Sequence, residues 1–414
     1  MRIIKSSELR KDFFEPAETP IIESVREIIK DIKERGDNAV RDYTKKFDNL
    51  EIDKFELTEE DRKEAYKKVD KKYVEALKFA AENIKKFAEN QLDSLKSFET
   101  NNKGITLGQK IIPLDKVGCY VPGGRYPLPS TALMTVIPAK VAGVKEVIVC
   151  SPKISPVTIV AADIAGADRI FNVGGVQAIA ALAYGTKTIP QVDKIVGPGN
   201  QYVSAAKKEV YGIVGIDLIA GPSEVLIIAD ESGNPDFIAA DLLAQAEHDP
   251  GSRAELITTS EELAKKVEEK VNSQLSALKT KDIAQQSITN NGTIIIVEDI
   301  KEAIEIANKR SPEHLELQVK NPDLIIPELK NYGSLFIGEY SAEVFGDYCS
   351  GPNHTLPTNG SARYTGGLSV KDFVKILTYQ KITKEASREL IKTASKLAEV
   401  EGLDAHKNAA EIRI

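Results

Sequence analysis

Histidine and cysteine are scarce in this chain, with four of one and three of the other among 414 residues. Cys119, Cys150 and Cys349 are odd in number and widely separated. They fit no disulfide framework and read as reduced thiols of a cytoplasmic protein. No window approaches the roughly 18 consecutive apolar residues of a membrane-spanning helix. The opening Met1-Arg2-Ile3-Ile4-Lys5 turns polar at once, so no secretory signal is expected. A basic excess is also missing: 55 Lys and Arg stand against 62 Asp and Glu, a net charge of −7. That balance argues against a general nucleic-acid binder. Low-complexity linkers, short-period repeats, Gly-x-Gly-x-x-Gly and His-Glu-x-x-His are all absent.

The length exceeds what one ordinary hydrophobic core fills, so two or more lobes are expected. The first hundred or so residues read as helices. In 19–47 and 58–98 apolar residues recur at three- and four-residue spacing, as in Ile21, Val25, Ile28, Ile29 and Ile32. Their Lys and Glu runs read as solvated faces. From about residue 116 the texture changes. Short β-branched runs at 117–121, 146–150, 169–173, 194–196 and 225–229 alternate with alanine-rich segments at 131–143, 156–166, 176–185 and 201–211. The alternation continues with strands expected at 255–258, 293–297, 315–319 and 334–337, and helices at 235–247, 260–279, 299–309 and 322–330. Strand then helix, repeated, predicts an α/β fold with parallel sheets in two lobes, closed by a charged helical tail from about 384.

Gly and Pro concentrate where the strands should end: in 122–131, at Gly174-Gly175, at Gly197-Pro198-Gly199-Asn200 and at Gly221-Pro222-Ser223. Ligands of open parallel sheets bind outside the carboxyl ends of strands, where such turns sit. Glycine lets the backbone approach a phosphate, and helix N-termini offer it free amide donors. Taken singly, each turn fits equally a tight connection with no ligand.

All four histidines stand in conspicuous settings: Gln245-Ala-Glu-His248, Pro312-Glu313-His314, Asn353-His354 and Asp404-Ala-His406. Gln245 and His248, three apart at a helix end, would share one face and could reach one ion. Asp347 and His406 could add an oxygen and a nitrogen, a donor set that suits zinc, or manganese less tightly. Each histidine singly also fits a hydrogen-bonded structural role. Glu313-His314 is an acid/base pair by residue type. In a regular strand the two side chains would point to opposite faces, so they share a site only if they sit at the strand's irregular start after Pro312. On these residues alone, a zinc hydrolase in which Glu313 activates water and a non-enzymatic ligand- or metal-binding protein both stay open. Binding of NAD separates the first from an oxidoreductase.

Nine segments, taken together and in order over roughly 115–410, resemble the histidinol dehydrogenase family. They are Tyr120-Val-Pro-Gly-Gly124, Gly174-Gly-Val-Gln177, Val196-Gly-Pro-Gly-Asn200, Ala220-Gly-Pro-Ser223, Gln245-Ala-Glu-His248, Pro312-Glu-His314-Leu, Gly346-Asp347-Tyr, Asn353-His354-Thr-Leu-Pro and Glu401-Gly-Leu-Asp-Ala-His406. The resemblance implies two incomplete Rossmann-like lobes related to aldehyde dehydrogenases. Residues 15–118 and 224–366 would form the first lobe and 119–223 the second, NAD-binding lobe. Residues 1–14 would be a small N-terminal segment and 367–414 a C-terminal segment serving the dimer and active site.

The same resemblance implies oxidation of L-histidinol through L-histidinal to L-histidine, the last steps of histidine biosynthesis, with two NAD and one zinc per subunit. It implies Gln245, His248, Asp347 and His406 as metal ligands, and Glu313 and His314 as the catalytic pair. Ser223, His354 and Glu401 would join the metal ligands and His314 in binding substrate, and Tyr120, Gln177 and Asn200 would bind NAD. The expected assembly is a cytoplasmic homodimer in which the C-terminal segment completes the partner's site, with no membrane or nucleic-acid partner. Aldehyde dehydrogenases use a cysteine nucleophile. Here Cys349, two residues after Asp347, reads as a small packing residue instead.

Overall fold

The computed structural model describes residues 1–15, 22–123 and 126–413. Ile21, Gly124 and Arg125, which fall in the helix and turn expected above, lie outside the described residues. Two parallel sheets organise the chain. One has five strands in the order Arg169–Phe171, Glu146–Cys150, Lys116–Tyr120, Lys194–Val196, Gly215–Ile216. The other has six, in the order Arg2–Lys5, Thr293–Ile296, Arg253–Thr258, Glu224–Ala229, His314–Gln318, Ser334–Ile337. In both, the chain builds outward from a central strand, returns, and builds the other way, the doubly wound pattern that makes a crevice at the point of reversal.

Period-two side-chain alternation explains why both sheets are covered on two faces. In the five-stranded sheet Val117, Cys119, Val147 and Val149 pack with the helices Pro129–Ala142 and Pro156–Ala165. Tyr120, Ile148 and Cys150 pack with Gly175–Tyr184 and Gln201–Val210. In the six-stranded sheet Val225 and Ile227 face the helices Pro235–Ala246 and Glu261–Ala277, whereas Leu226 and Ile228 face Ile300–Arg310. Helix ends follow their local chemistry. Asn234 caps Pro235–Ala246 by accepting from the amides of Asp236 and Phe237, with Pro235 at the first helical position. No helix among the described residues is long and apolar enough to cross a membrane.

Four features differ from expectation. Residues 15–118 were grouped with the 224–366 segment, yet Val25, Ile28, Ile29 and Ile32 pack against the helix Gly175–Tyr184, and Ala80, Ile84 and Ala88 against Pro129–Ala142. The N-terminal helices therefore cover the five-stranded lobe. Residues 2–5, within the expected N-terminal segment, form the edge strand of the six-stranded sheet. Segment 322–330 is two short 3-10 turns, Pro322–Leu324 and Ile326–Glu328. Pro327 lacks the amide hydrogen that a continuous helix would use at its sixth position, whereas Pro322 at the start would be tolerated. Finally, Phe98–Asn102, Ile105–Pro113 and Val374–Ile382 form a three-stranded antiparallel sheet, turned at Lys103-Gly104, both with positive φ.

Candidate active site

A cavity of about 720 Å³ opens between the two lobes. The five-stranded lobe contributes the carboxyl ends of its central strands through Pro122, Pro198, Gly199 and Asn200, at the point where its strand order reverses. The six-stranded lobe contributes the opposite, amino ends: Ser223 precedes the strand Glu224–Ala229, and Glu313 precedes His314–Gln318. Gln245 and His248 reach the same wall because their helix runs back antiparallel to the sheet. Asp347 arrives on the six-residue helix Glu343–Tyr348, and His354 on the loop beyond it.

The local backbone decides how Glu313 and His314 can share the cleft. Ser311 ends the helix Ile300–Arg310 in the left-handed region (φ 53°), and Pro312 prevents its continuation. Regular pairing begins only at His314, so Glu313 lies just outside the strand and is freed from its alternation. Glu313 Oε2 accepts from the Glu224 amide at 3.0 Å and lies 3.7 Å from His314 Nδ1. His314 Nδ1 also lies 3.2 Å from both the Glu224 carbonyl oxygen and Gln245 Nε2, while Nε2 is 3.2 Å from Asp347 Oδ1. Nδ1 thus faces one group that only accepts, the Glu224 carbonyl oxygen, and one that donates, the Gln245 amide, while Nε2 faces the Asp347 carboxylate, which only accepts and draws a proton to that nitrogen in the cleft.

Burial pushes the Glu313 carboxyl up to about 8, against the opposing pull of His314. Burial works against charge on His314, but Glu313, Glu343 and Asp347 outweigh it and hold that ring well above its ordinary value. Asp347 stays below the usual carboxylate range despite burial, because His314 lies beside it. His354 bridges the lobes: Nδ1 donates to the Asp347 carbonyl oxygen at 2.9 Å, and Nε2 meets Thr131 Oγ1 at 3.1 Å. Cys119 and Cys150 are buried and burial raises both thiols, Cys119 to about 12, which suits packing and not nucleophilic work.

The chain thus brings Asn200, Ser223, Gln245, His248, Glu313, His314, Asp347 and His354 to one cleft. Tyr120 and Gln177 do not line it. They are buried in the five-stranded lobe around Gly175, whose amide donates to the Tyr120 hydroxyl at 3.1 Å. Gln177 Nε2 reaches Asp48 at 3.4 Å. Glu401 and His406 lie exposed at and beyond the end of the helix Lys384–Val400, outside the cleft of their own chain. Sequence reasoning missed Glu224, Glu343, Arg310 and Thr131. The signal for Glu224 and Glu316 was available, since each is a lone charge inside a short apolar strand that is buried throughout.

The family model of histidinol dehydrogenase matches residues 15–414. The chain belongs to the histidinol dehydrogenase family. Among relatives, the histidinol dehydrogenase of Methanocaldococcus jannaschii is 50% identical over 95% of this chain and 92% of its own length. That of Aquifex aeolicus is 51% identical over 94% and 92%. The crystal structure of histidinol dehydrogenase from Elizabethkingia anophelis superposes with a TM-score of 0.94 at 38% identity, covering 100% of this chain and 98% of that one. Membership of this family brings an oxidoreductase of histidine biosynthesis into view, and the cleft supplies residues of the right types for it.

Among the described residues, no group of three or more His, Cys, Asp or Glu side chains could hold a metal ion. Gln245 nevertheless fits a cation. Its Oε1 is buried without a hydrogen-bond partner, and it shares the cleft with the His248 ring and the Asp347 carboxylate. Two oxygens and an imidazole suit zinc, or manganese less tightly, and leave a fourth position to be filled from outside. On the five-stranded wall a Cβ at Gly197 would stand 2.1 Å from the Tyr120 carbonyl oxygen, and one at Gly199 would stand 2.4 Å from Val203, so this turn packs against its own lobe as only glycine permits.

Proposed function

We propose that this protein is a zinc-loaded, cytoplasmic homodimer that oxidises L-histidinol through L-histidinal to L-histidine with NAD. The observation that carries the reading is the meeting of Glu313–His314 with Gln245, His248 and Asp347 in one cleft. Gln245, His248 and Asp347 would hold zinc, which when bound supplies a fixed anchor for the substrate's imidazole and amino nitrogens. The Pro198–Asn200 turn would hold NAD, which when bound supplies the hydride acceptor of both oxidations.

The chain's own groups do the proton chemistry. In its neutral form His314 takes the proton of the substrate hydroxyl at Nε2, with Nδ1 anchored on the Glu224 carbonyl oxygen. Glu313, whose raised proton affinity lies near neutrality, draws a proton from the water that hydrates the aldehyde. As the water adds, His314 gives its proton to the aldehyde oxygen, and the ring is then free to take a hydroxyl proton of the hydrate while the second hydride leaves. The enclosing lobes keep the aldehyde from escaping between steps.

The dimer reading rests on the C-terminal arm. His406 and Glu401 stand away from their own cleft, and the arm exposes Leu397, Val400, Leu403 and Ile412. A second copy that accepts this arm would gain the missing nitrogen ligand. Mixing inactive Glu313→Gln with inactive His406→Ala subunits should then restore activity, because one cleft of each mixed dimer is intact. No recovery in demonstrably mixed dimers would remove the shared site.

The reaction itself is tested by NADH formation from L-histidinol by purified protein, before and after chelation and zinc return. Two NADH per histidinol, lost on chelation and regained with zinc, supports the proposal. No NADH from folded, zinc-loaded protein would overturn it.

A further inference from the structure

Beneath the cleft lies a buried ion network that the reaction as proposed does not use. Arg310 is the last residue of the helix that leads into Pro312, Glu313 and His314. Its guanidinium donates to Glu224 Oε2 at 2.6 Å and, through Nε, to Glu255 Oε2 at 3.0 Å; all three side chains are almost fully buried. Apart from the Oε2 held by Arg310, each polar group of Glu224 faces the site. Its amide donates to Glu313 Oε2, its carbonyl oxygen meets His314 Nδ1, and its Oε1 accepts from the Asn359 amide at 2.9 Å. Asn359 lines the same cleft. Glu255 belongs to the next strand, whose register places Arg253 beside Glu224.

The guanidinium therefore ties the end of one helix to the starts of two neighbouring strands. The single residue between them, Glu224, touches both members of the acid/base pair. Arginine suits this task because its planar fork meets two carboxylates in fixed directions, which the point charge of lysine does not.

We infer that Arg310 is a positioning residue for Glu313 and His314, acting through Glu224 with Glu255 as its second anchor. This rests on the function proposed above, but the geometry also makes a claim about the His314 ring itself. Without the fork, the Glu224 backbone and the Pro312 turn lose their common fix, and the imidazole departs from its productive orientation. A misplacement of this kind slows the chemical step far more than it weakens substrate binding.

The test compares the full-length wild type with Arg310→Lys, which keeps the charge and loses the fork. Glu255→Gln, which removes one anchor's charge and keeps an acceptor, is the second variant. The expected result for Arg310→Lys is a fall in kcat on the order of 10²-fold with little change in KM for L-histidinol. Glu255→Gln should fall in the same direction by less. The chain has four histidines, so ring NMR spectra with the His314 signal assigned by His314→Ala give a second readout. That signal should move in both variants while those of His248, His354 and His406 stay in place.

A folded Arg310→Lys protein with wild-type kcat and an unmoved His314 signal would overturn the inference. So would failure of both variants to fold, which would assign the network to the core alone. If the wild type does not oxidise L-histidinol, the proposed function fails separately, and the His314 signal alone decides the positioning claim.

Discussion

The two lobes meet the same cleft from opposite ends of their sheets, and they bring different materials to it. The five-stranded lobe presents carboxyl ends of strands, where glycine turns expose backbone and few charged side chains project. The six-stranded lobe presents amino ends, where Ser223, Glu313 and His314 project side chains over a buried network of Glu224, Arg310 and Glu255. Both sheets reverse their strand order at a central strand, so topology alone does not decide which end a site occupies. What differs is the means of support. One wall is shaped by where the backbone is allowed to go, the other by where buried charges are held.

That division can be broken at several points. The largest effect belongs to the side-chain wall. His314→Ala should lower turnover roughly 10²–10⁴-fold, the usual worth of a general base, measured as NADH formation from L-histidinol. A variant within a small factor of wild type would take the chemistry away from this wall.

Next comes the frame of the backbone wall. Lys207 and Asp217 form a buried ion pair that holds the turn at Gly197: Lys207 Nζ donates to the Gly197 carbonyl oxygen at 2.9 Å, and Asp217 Oδ2 accepts the Gly197 amide at 2.7 Å. Lys207→Met leaves that carboxylate buried and unpaired, and should cost about 3–5 kcal/mol in urea unfolding. A loss under about 1 kcal/mol, the worth of an exposed pair, would mean that the turn is held by other contacts.

Gly197→Ala should cost at least as much, because its Cβ would stand 2.1 Å from the Tyr120 carbonyl oxygen in addition to the strain of a positive φ of 111°, and it should weaken NAD binding more than histidinol binding. Equal weakening of both ligands, read by calorimetry, would blur the distinction between the walls. Smallest of all, Cys349→Ala should leave both oxidations intact, because its backbone oxygen accepts from Asn83 and its side chain packs against the core of the five-stranded lobe. Arrest of the variant at the aldehyde would instead make that thiol a nucleophile.

The buried parallel strands were legible because both of their faces are covered, which concentrates β-branched residues into short runs. The strands Glu146–Cys150, Lys194–Val196 and Ser334–Ile337 fall where expected, and the others shift by a few residues. The antiparallel hairpin at 98–113 went unread. Its strands are half exposed and rich in Asn, Thr and Lys, although Lys103-Gly104 carried a turn signal. The alternation of elements suggests a helix at 322–330, and Pro327 breaks it into two short turns. For the site, residue types pointed to Glu313 and His314, but their orientation depended on the strand beginning at His314, just after Glu313. Arg310 and Glu224 left only the trace of charges in apolar surroundings.

By itself the sequence determined the alternation of strands and helices, the sites of the tight turns, and which side chains are candidates for acid/base and ligating work. Those follow from local periodicity and from what each residue type can do. Only the tertiary structure decided that Asn200, Ser223, Gln245, Glu313 and Asp347 face one cleft while Tyr120 and Gln177 lie buried behind it and His406 stands outside. It also decided that one lobe offers its carboxyl ends and the other its amino ends. The physical reason is separation along the chain. A periodic pattern records which face of an element is buried, but it does not record which distant element covers that face, nor where two sheets come to meet.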